Sequence, residues 1–166
     1  FMIKEILDTS RLDFTQEKQD AETFDLSECL PAICEPYQLI AKAKGLDFSF
    51  SIQGKCPVHT SKKSLEKILS NLLSNAVSYT KPGCKITVLL TARQIKIENE
   101  CTPIPPDKLA HVFEPFYRPD FARDRKDGGN GLGLYIVDTL SKALGLPYQF
   151  EATKNPPGMC FTLYLS

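Results

Sequence analysis

The stretch "SLEKILSNLLSNAVSYT", residues 64–80, decides the fold of this chain. Its apolar residues recur with the helical period of about 3.6 residues, so they share one face. These residues are Leu65, Ile68, Leu69, Leu72, Leu73 and Ala76. Because a helix with a continuous apolar face has to bury that face against other elements, the stretch predicts a long helix lying on a hydrophobic core.

Asn71 and Asn75 lie one turn apart on this helix, at the border of its apolar face. A half-buried amide costs free energy unless it is paired. Amide oxygens are hard ligands that can complete the shell of a Mg²⁺ ion whose other ligands are phosphates and water. The pair therefore indicates a metal-bridged phosphate site, with capping of the neighbouring backbone as the alternative interpretation.

Runs of alternating polar and apolar residues on both sides of this helix predict β-strands. They are "ETFDLSE", "LDFSFSI", "PVHTS", "CKITVLL", "QIKIENE", "YQFEA" and "MCFTLYLS". Two further long helices are predicted, one running from Ser27 as its N-cap to Gly45 and one ending at Gly145, and "TPIPPDKLAHVFEPFYR" predicts one short helix. Pro36 is expected to kink or shorten the first of them. The successive hairpins favour an α+β fold, in which a mixed, mostly antiparallel sheet is backed by helices on one face.

Length and composition restrict the classes of function. The 166 residues suffice for one domain with a full core. The 20 basic residues balance the 20 acidic ones, so neither a nucleic-acid surface nor an anionic membrane is expected as a partner. The six cysteines form no CxxC pair and only two histidines accompany them, which argues against a zinc site and for reduced thiols in a cytoplasmic protein. Because the chain begins with Phe1, it is expected to be part of a longer protein.

A glycine-rich stretch, "RKDGGNGLGLYIV" at residues 125–137, follows a charged loop and leads into an apolar helix. A dinucleotide-binding loop would follow a buried strand directly, and a Walker loop would end in Gly-Lys-Ser/Thr; neither pattern is met. The remaining arrangement is a basic loop ending on a helix N-terminus, where the N–H groups of Gly131, Leu132 and Gly133 would bind a polyphosphate. The alternative is an ordinary flexible loop whose glycines serve turn geometry.

Residues 64–80 look like the N box of sensor histidine kinases, "FEPFYR" resembles their F box and "GGNGLGL" their G2 box, in the family's order. The resemblance covers roughly residues 14–166 and implies the catalytic and ATP-binding domain of a two-component sensor kinase. The implied fold is the Bergerat (GHKL) two-layer α/β sandwich, with a sheet on about three helices and a flexible ATP lid at about residues 117–130. Residues 1–13 are similar to the end of the helix that links the dimerisation domain to this domain. The chain looks closest to kinases of Gram-positive bacteria, a group that includes the vancomycin-resistance sensors.

The resemblance implies a role for each matching residue. Asn75 and Asn71 bring Mg²⁺ to the triphosphate of ATP, and Arg118 reaches toward the γ-phosphate, so Asn71 and Arg118 are the expected catalytic residues. Tyr117 lies against the nucleotide, and Tyr79 matches the aromatic residue that closes the N box. Further nucleotide contacts fall on the lid and the G2 box: Arg123, Arg125, Gly129, Gly131, Leu132, Gly133 and Leu134.

The chain departs from the family pattern in two places. Ser78 replaces a lysine of the N box, which removes one phosphate contact. The G1 box, usually Asp-x-Gly-x-Gly-Ile, is "NECTPI" here. Asn99 can still accept a hydrogen bond from the adenine amine, as a neutral and weaker partner, and Ile104 should line the base pocket. Cys101 and Pro103 replace glycines, so the loop is expected to follow a different path.

Three functions stay open at this point. The first is a protein-histidine kinase, which transfers the γ-phosphoryl group of ATP to a histidine. The second is an ATPase of the same fold; such enzymes carry a glutamate one helical turn before the Mg²⁺-binding asparagine, where this chain has Asn71, which cannot act as a base. The third is a pseudokinase that binds nucleotide poorly and docks partners.

The resemblance also implies partners. The phospho-accepting histidine belongs to a dimerisation domain of the same protein, N-terminal to this chain, and the phosphoryl group passes on to a response regulator. His59 and His111 lack the sequence context of that histidine, so the chain is expected to bind ATP without labelling itself. The whole protein is expected to be a membrane-anchored homodimer, of which this chain is a cytoplasmic domain that contacts neither membrane nor nucleic acid.

Overall fold

The computed structural model describes residues 21–115 and 133–165. Its helices and strands follow one another in the order β1 (Ala21–Asp25), α1 (Leu26–Lys44), β2 (Asp47–Ile52), β3 (Pro57–Ser61), α2 (Lys62–Tyr79), β4 (Lys85–Leu90), β5 (Gln94–Glu100), α3 (Pro106–Leu109), α4 (Gly133–Leu144), β6 (Tyr148–Lys154) and β7 (Pro157–Tyr164). The expected linker at residues 1–13 and the expected lid at 117–130 lie outside the described residues, and both stay predictions.

The main sheet has five strands in the order β2-β4-β5-β7-β6. The β2–β4 pair is parallel, and the other three pairs are antiparallel. β1 and β3 form a separate two-stranded antiparallel sheet. The predicted mixed, mostly antiparallel sheet is therefore confirmed, as are the two hairpins β4–β5 and β6–β7.

One face of the main sheet carries the core. A single row of aligned apolar residues crosses all five strands and consists of Phe50, Val88, Ile97, Phe161 and Phe150. The predicted apolar face of α2 is buried along its whole length, and α2 packs against both α1 and α4. The helices thus form a second layer over the sheet, as the α+β prediction requires.

Helix α1 differs from its prediction at its start. The N-cap is Asp25, not Ser27: Asp25 Oδ1 accepts hydrogen bonds from Ser27 N at 3.0 Å, Ser27 Oγ at 2.7 Å and Cys56 N at 2.9 Å. The hydrogen bonds from the Ser27 hydroxyl and the Cys56 amide hold the pKa of Asp25 below its ordinary value. Asp25 therefore caps the helix and also ties it to the chain entering β3.

The expectation that Pro36 kinks or shortens α1 is wrong, because the helix runs through both Pro31 and Pro36. The carbonyl group to which Pro36 cannot donate is that of Ala32, an exposed residue. A proline inside a helix costs roughly 3 kcal/mol, and burial of a large side chain contributes about 1.5–3 kcal/mol. The opposite face of α1 offsets the cost through its buried residues Leu30, Ile33, Cys34 and Ala41.

Both predicted glycine stops are confirmed. Gly45 follows α1 with a φ of 77°, and Gly145 follows α4 with a φ of 73°. Within the described residues, no helix is both long and apolar enough to cross a lipid bilayer.

Candidate functional site

The structure brings Asn71, Asn75 and Gly133 together, although Gly133 is far from the two asparagines in the chain. A Cβ atom added at Gly133 would lie 3.3 Å from Asn75 Oδ1, 3.4 Å from Asn75 Nδ2 and 3.5 Å from Asn71 Oδ1. The first residue of α4 therefore lies directly against both amides of α2. Since any side chain at this position would press on the amides, glycine is what permits the approach.

The amide of Asn71 has a defined orientation. Its Nδ2 donates to the carbonyl oxygen of Lys67 at 2.8 Å, and a carbonyl oxygen can only accept. The amide nitrogen of Asn71 thus caps neighbouring backbone, which was the alternative to a metal-bridged phosphate site. Its oxygen is left directed toward Gly133 and is the atom that could bind a cation.

The N-terminus of α4 adds positive electrostatic potential to the same place. Helix α4 has 12 residues, and its first turn carries no acidic side chain. The free N–H groups and the macrodipole of such a helix start favour anions. Leu134, also predicted as a site residue, is half-buried and packs against the core, so it fixes the helix start rather than facing outward. The amide oxygens can bind a cation, and the adjacent helix N-terminus can bind an anion that is in contact with that cation.

Asn99 lies beyond the C-terminal end of the same helix α2. It is half-buried at the end of β5, on the face of the sheet that the helices cover, and it pairs in register with Ile86 and Met159. Its Nδ2 donates to Thr80 Oγ1 at 3.2 Å. Tyr79, the last residue of α2, is half-buried beside this point. A polar amide among apolar neighbours suits recognition of a flat heterocycle with one hydrogen-bonding edge.

The G1-box loop is held against β7 although Cys101 and Pro103 stand where the family has glycines. Cys101 N donates to the carbonyl oxygen of Pro157 at 3.3 Å, and Ile104 N donates to the thioether sulfur of Met159 at 3.4 Å. Ile104 is half-buried next to this contact. The loop therefore keeps Ile104 near the end of β5, where Asn99 lies.

Sequence reasoning missed Thr80, Met159 and Gly158, all of which position Asn99. A Cβ atom added at Gly158 would lie 2.2 Å from the carbonyl oxygen of Asn99, so β7 can approach β5 here only because Gly158 has no side chain. The available signal was a glycine directly before the predicted strand "MCFTLYLS", since a glycine at a strand commonly marks a close backbone approach.

Phe113 anchors the chain that leads out of the described region at Pro115. Its ring lies 5.1 Å from that of Tyr148 and 5.9 Å from that of Phe150, measured between centroids. The Tyr148 hydroxyl donates to Asp138 on α4, and burial together with this hydrogen bond raises the pKa of Tyr148 above its ordinary value. These contacts join α4, β6 and the F-box segment.

The remaining predicted site residues lie outside the described residues. They are Tyr117, Arg118, Arg123, Arg125, Gly129, Gly131 and Leu132. Their roles stay predictions. Among the described residues, the structure thus brings Asn71, Asn75 and Gly133 together, and it connects Ile104 through Met159 to the strand position that pairs with Asn99.

Comparison with known families gives a direct match. Residues 60–166 match the family described as histidine kinase-, DNA gyrase B-, and HSP90-like ATPase. The chain is 30% identical over 164 residues to the sensor histidine protein kinase HK06 of Streptococcus pneumoniae, covering 99% of this chain and 36% of that protein. It is 33% identical over 168 residues to the sensor histidine kinase CusS of Escherichia coli O157:H7, covering 99% of this chain and 34% of that protein.

These figures mean that the chain spans about a third of the length of the curated relatives it matches. One relative comes from a Gram-positive and the other from a Gram-negative bacterium, so the narrower likeness to vancomycin-resistance sensors stays a prediction. Among solved structures, the nucleotide-free catalytic domain of histidine kinase ThkA superposes with a TM-score of 0.75 at 22% identity, over 87% of this chain and 94% of that one. That likeness agrees with the fold described above.

Proposed function

The chain belongs to the histidine kinase-, DNA gyrase B- and HSP90-like ATPase family and is an ATP-binding catalytic domain of the sensor histidine kinase type, and from this premise we propose how it works. It binds ATP along helix α2, with Mg²⁺ at the phosphates, and transfers the γ-phosphoryl group to a histidine on a separate dimerisation domain. The observation that carries the proposal is the approach of the α4 N-terminus to the amides of Asn71 and Asn75.

The donor set at that approach fits Mg²⁺. Amide oxygens are hard, neutral ligands, and Mg²⁺ usually takes only one or two protein ligands together with phosphate and water. Asn75 and Asn71 would hold the ion through these oxygens, and Mg²⁺ would there neutralise charge on the triphosphate. The N–H groups at the start of α4 would bind the phosphate oxygens themselves.

The base end of the site lies at Asn99 and Ile104. Asn99 would accept a hydrogen bond from the exocyclic amine of adenine, and Ile104 would pack on the ring. Residues outside the described ranges complete the proposal through the resemblance alone. Arg118 would offset the negative charge that spreads over the phosphoryl oxygens during transfer, and Tyr117 would lie against the nucleotide.

Transfer is favoured over hydrolysis by the residue at position 71. Asn71 donates to the Lys67 carbonyl and presents an amide oxygen to α4, and an amide has no useful basicity for activating water. A transfer reaction needs no base in this domain, because the attacking histidine is itself a good nucleophile. The ATPase and the nucleotide-poor docking module remain the rival functions that the experiments below separate.

The two histidines of the chain are engaged in local contacts. His59 Nδ1 lies 2.9 Å from Thr23 Oγ1 within the two-stranded sheet, and His111 Nδ1 lies 2.6 Å from Glu114 Oε2. Neither histidine has the sequence context of the family's acceptor, so we place the acceptor histidine on another domain. The partners we propose are that dimerisation domain and a response regulator, within a membrane-anchored homodimer that carries this domain on its cytoplasmic side.

Calorimetric titration of the chain with ATP in the presence of Mg²⁺ tests binding. We expect Asn75→Ala to weaken affinity about ten- to hundredfold, because a hydrogen bond or ligand contact to a charged group contributes about 1.5–3 kcal/mol. Ser74→Ala is the matched control, since Ser74 is exposed between the two asparagines on the same helix. Equal affinities for Asn75→Ala and the control would overturn the assignment of the metal site.

Incubation with ATP labelled at the γ-phosphate tests transfer. We expect no phosphohistidine on the chain alone and a labelled histidine on an added dimerisation domain. Release of inorganic phosphate without labelling of that domain would favour the ATPase, and the absence of both products would favour the docking module.

A further inference from the structure

A short chain of hydrogen bonds connects Asn99 to the end of helix α2. Thr80 Oγ1 lies 2.7 Å from the carbonyl oxygen of Ala76, and Asn99 Nδ2 lies 3.2 Å from Thr80 Oγ1. Thr80 is completely buried. The backbone N–H of Thr80 donates to the same Ala76 carbonyl at 3.1 Å. Both groups of Thr80 are therefore fixed on the last turn of the helix.

The position of the Thr80 proton decides which way the amide of Asn99 faces. Two oxygen atoms 2.7 Å apart need a proton between them, and the Ala76 carbonyl has none, so the Thr80 hydroxyl donates its only proton to Ala76. Thr80 Oγ1 can then only accept from Asn99. The NH₂ group of Asn99 must face Thr80, and the amide oxygen must face away from it.

The surroundings reinforce this orientation. The cross-strand neighbours of Asn99, Ile86 and Met159, are apolar and offer no strong competing hydrogen-bond partner. The backbone of Asn99 is fixed by the close approach of Gly158. Rotation of the amide by half a turn would put two acceptors, Asn99 Oδ1 and Thr80 Oγ1, against each other inside the protein, which is costly.

We propose that Thr80 is a positioning residue that determines purine selectivity: it holds Asn99 with its oxygen as the acceptor presented to the base. This inference rests on the proposed function. An acceptor matches the 6-amino group of adenine and repels the 6-oxo group of hypoxanthine. A carboxylate would accept through either oxygen, so a positioning residue is needed here because position 99 is an amide.

Titration of Thr80→Val with ATP and, separately, with inosine triphosphate, each with Mg²⁺, tests the inference. Valine keeps the shape of threonine and removes the hydroxyl. We expect the wild type to prefer ATP and the preference to fall about tenfold in Thr80→Val, which corresponds to about 1.4 kcal/mol. Thr80→Ser is the matched control, because it keeps the hydroxyl, and it should keep the wild-type preference.

The ratio of the two affinities is measured on one preparation, so a lower folded fraction changes the stoichiometry and leaves the ratio intact. If Thr80→Val does not fold, Thr80→Ala serves in its place with the same expectation. In an Asn99→Asp background the substitution of Thr80 should leave the preference unchanged. An undiminished preference for ATP in Thr80→Val, or Thr80→Ala, overturns the role of Thr80.

The outcomes also separate this inference from the proposed function. A wild type that binds ATP, loses affinity with Asn75→Ala and fails to discriminate against inosine triphosphate retains the proposed function and refutes the selectivity mechanism. A wild type that binds neither nucleotide refutes both.

Discussion

Replacing Gly133 with alanine should weaken nucleotide binding without lowering the stability of the fold. The new Cβ would lie 3.3 Å from Asn75 Oδ1 and 3.5 Å from Asn71 Oδ1. The first of these distances is shorter than the ~3.5–4.0 Å optimum for contacts between non-bonded heavy atoms, so Asn75 Oδ1 has to shift by a few tenths of an ångström, whereas the contact to Asn71 is an ordinary one. The φ of Gly133 does not lie in the left-handed region, so the backbone accepts alanine without strain.

The substitution should affect stability and nucleotide affinity in opposite directions. Alanine is up to about 1 kcal/mol more favourable than glycine inside a helix, and at the first residue of α4 the gain is smaller. Complete loss of an amide oxygen from a charged ligand costs about 1.5–3 kcal/mol, so a small shift of Asn75 Oδ1 should weaken Mg²⁺-ATP binding by up to about ten- to hundredfold. The variant should therefore be about as stable as the wild type and bind nucleotide more weakly.

Urea unfolding followed by circular dichroism measures the stability, and calorimetric titration measures the affinity. The control is the same substitution at the other end of the helix, Gly145→Ala. Because Gly145 has a φ of 73°, alanine there should cost about 1 kcal/mol of stability and leave the affinity of the folded protein unchanged. Wild-type affinity in Gly133→Ala would refute the view that the two amides bind the ligand at this point.

Two further changes follow from the geometry. Gly158→Ala puts a Cβ 2.2 Å from the Asn99 carbonyl oxygen, so we expect a lower melting temperature in thermal unfolding and weaker ATP binding in titration. An unchanged affinity would show that the position of Asn99 is unimportant for binding. Asp25→Ala should lower the melting temperature near neutral pH, because the cap and its bond to Cys56 are lost. Hydrogen bonds lower the pKa of Asp25 from its ordinary 3.8, so the difference in melting temperature between wild type and Asp25→Ala should vanish as pH falls through the folded-state pKa. A difference that persists in acid would contradict the stabilising role of the ionised cap.

Local pattern was sufficient for most of the fold. The apolar face of α2 and the alternation in strands such as β2 and β4 follow from burial on one side, and that information is present within each segment. The asparagines at the border of the α2 face could be identified in the same way, because a polar residue beside a buried stripe stands out. Their convergence on Gly133 needed the tertiary structure, since α4 is distant in the chain.

The errors have a common physical origin in contacts between distant residues. The local pattern favours Ser27 as the N-cap, yet Asp25 caps the helix and also accepts a hydrogen bond from Cys56, 31 residues further along the chain. Pro36 lies in an intact helix because tertiary packing holds the opposite face. Thr80 directly follows helix α2, and its partner Asn99 lies 19 residues away on a strand, so no local pattern connects the two.

In the proposed site, helix α2 carries the amide pair directly and its C-cap Thr80 holds Asn99, so the helix sets the spacing between the two ends of the ligand. Thr80 is five positions after Asn75, which at 1.5 Å per residue is about 7.5 Å along the axis. Because the helix is rigid, the distance between the amide pair and the oriented Asn99 is fixed. A molecule can contact both only if its base and its phosphates are separated by a matching distance. Inserting or deleting one residue between positions 75 and 80 would rotate one end by about 100° relative to the other and destroy that match.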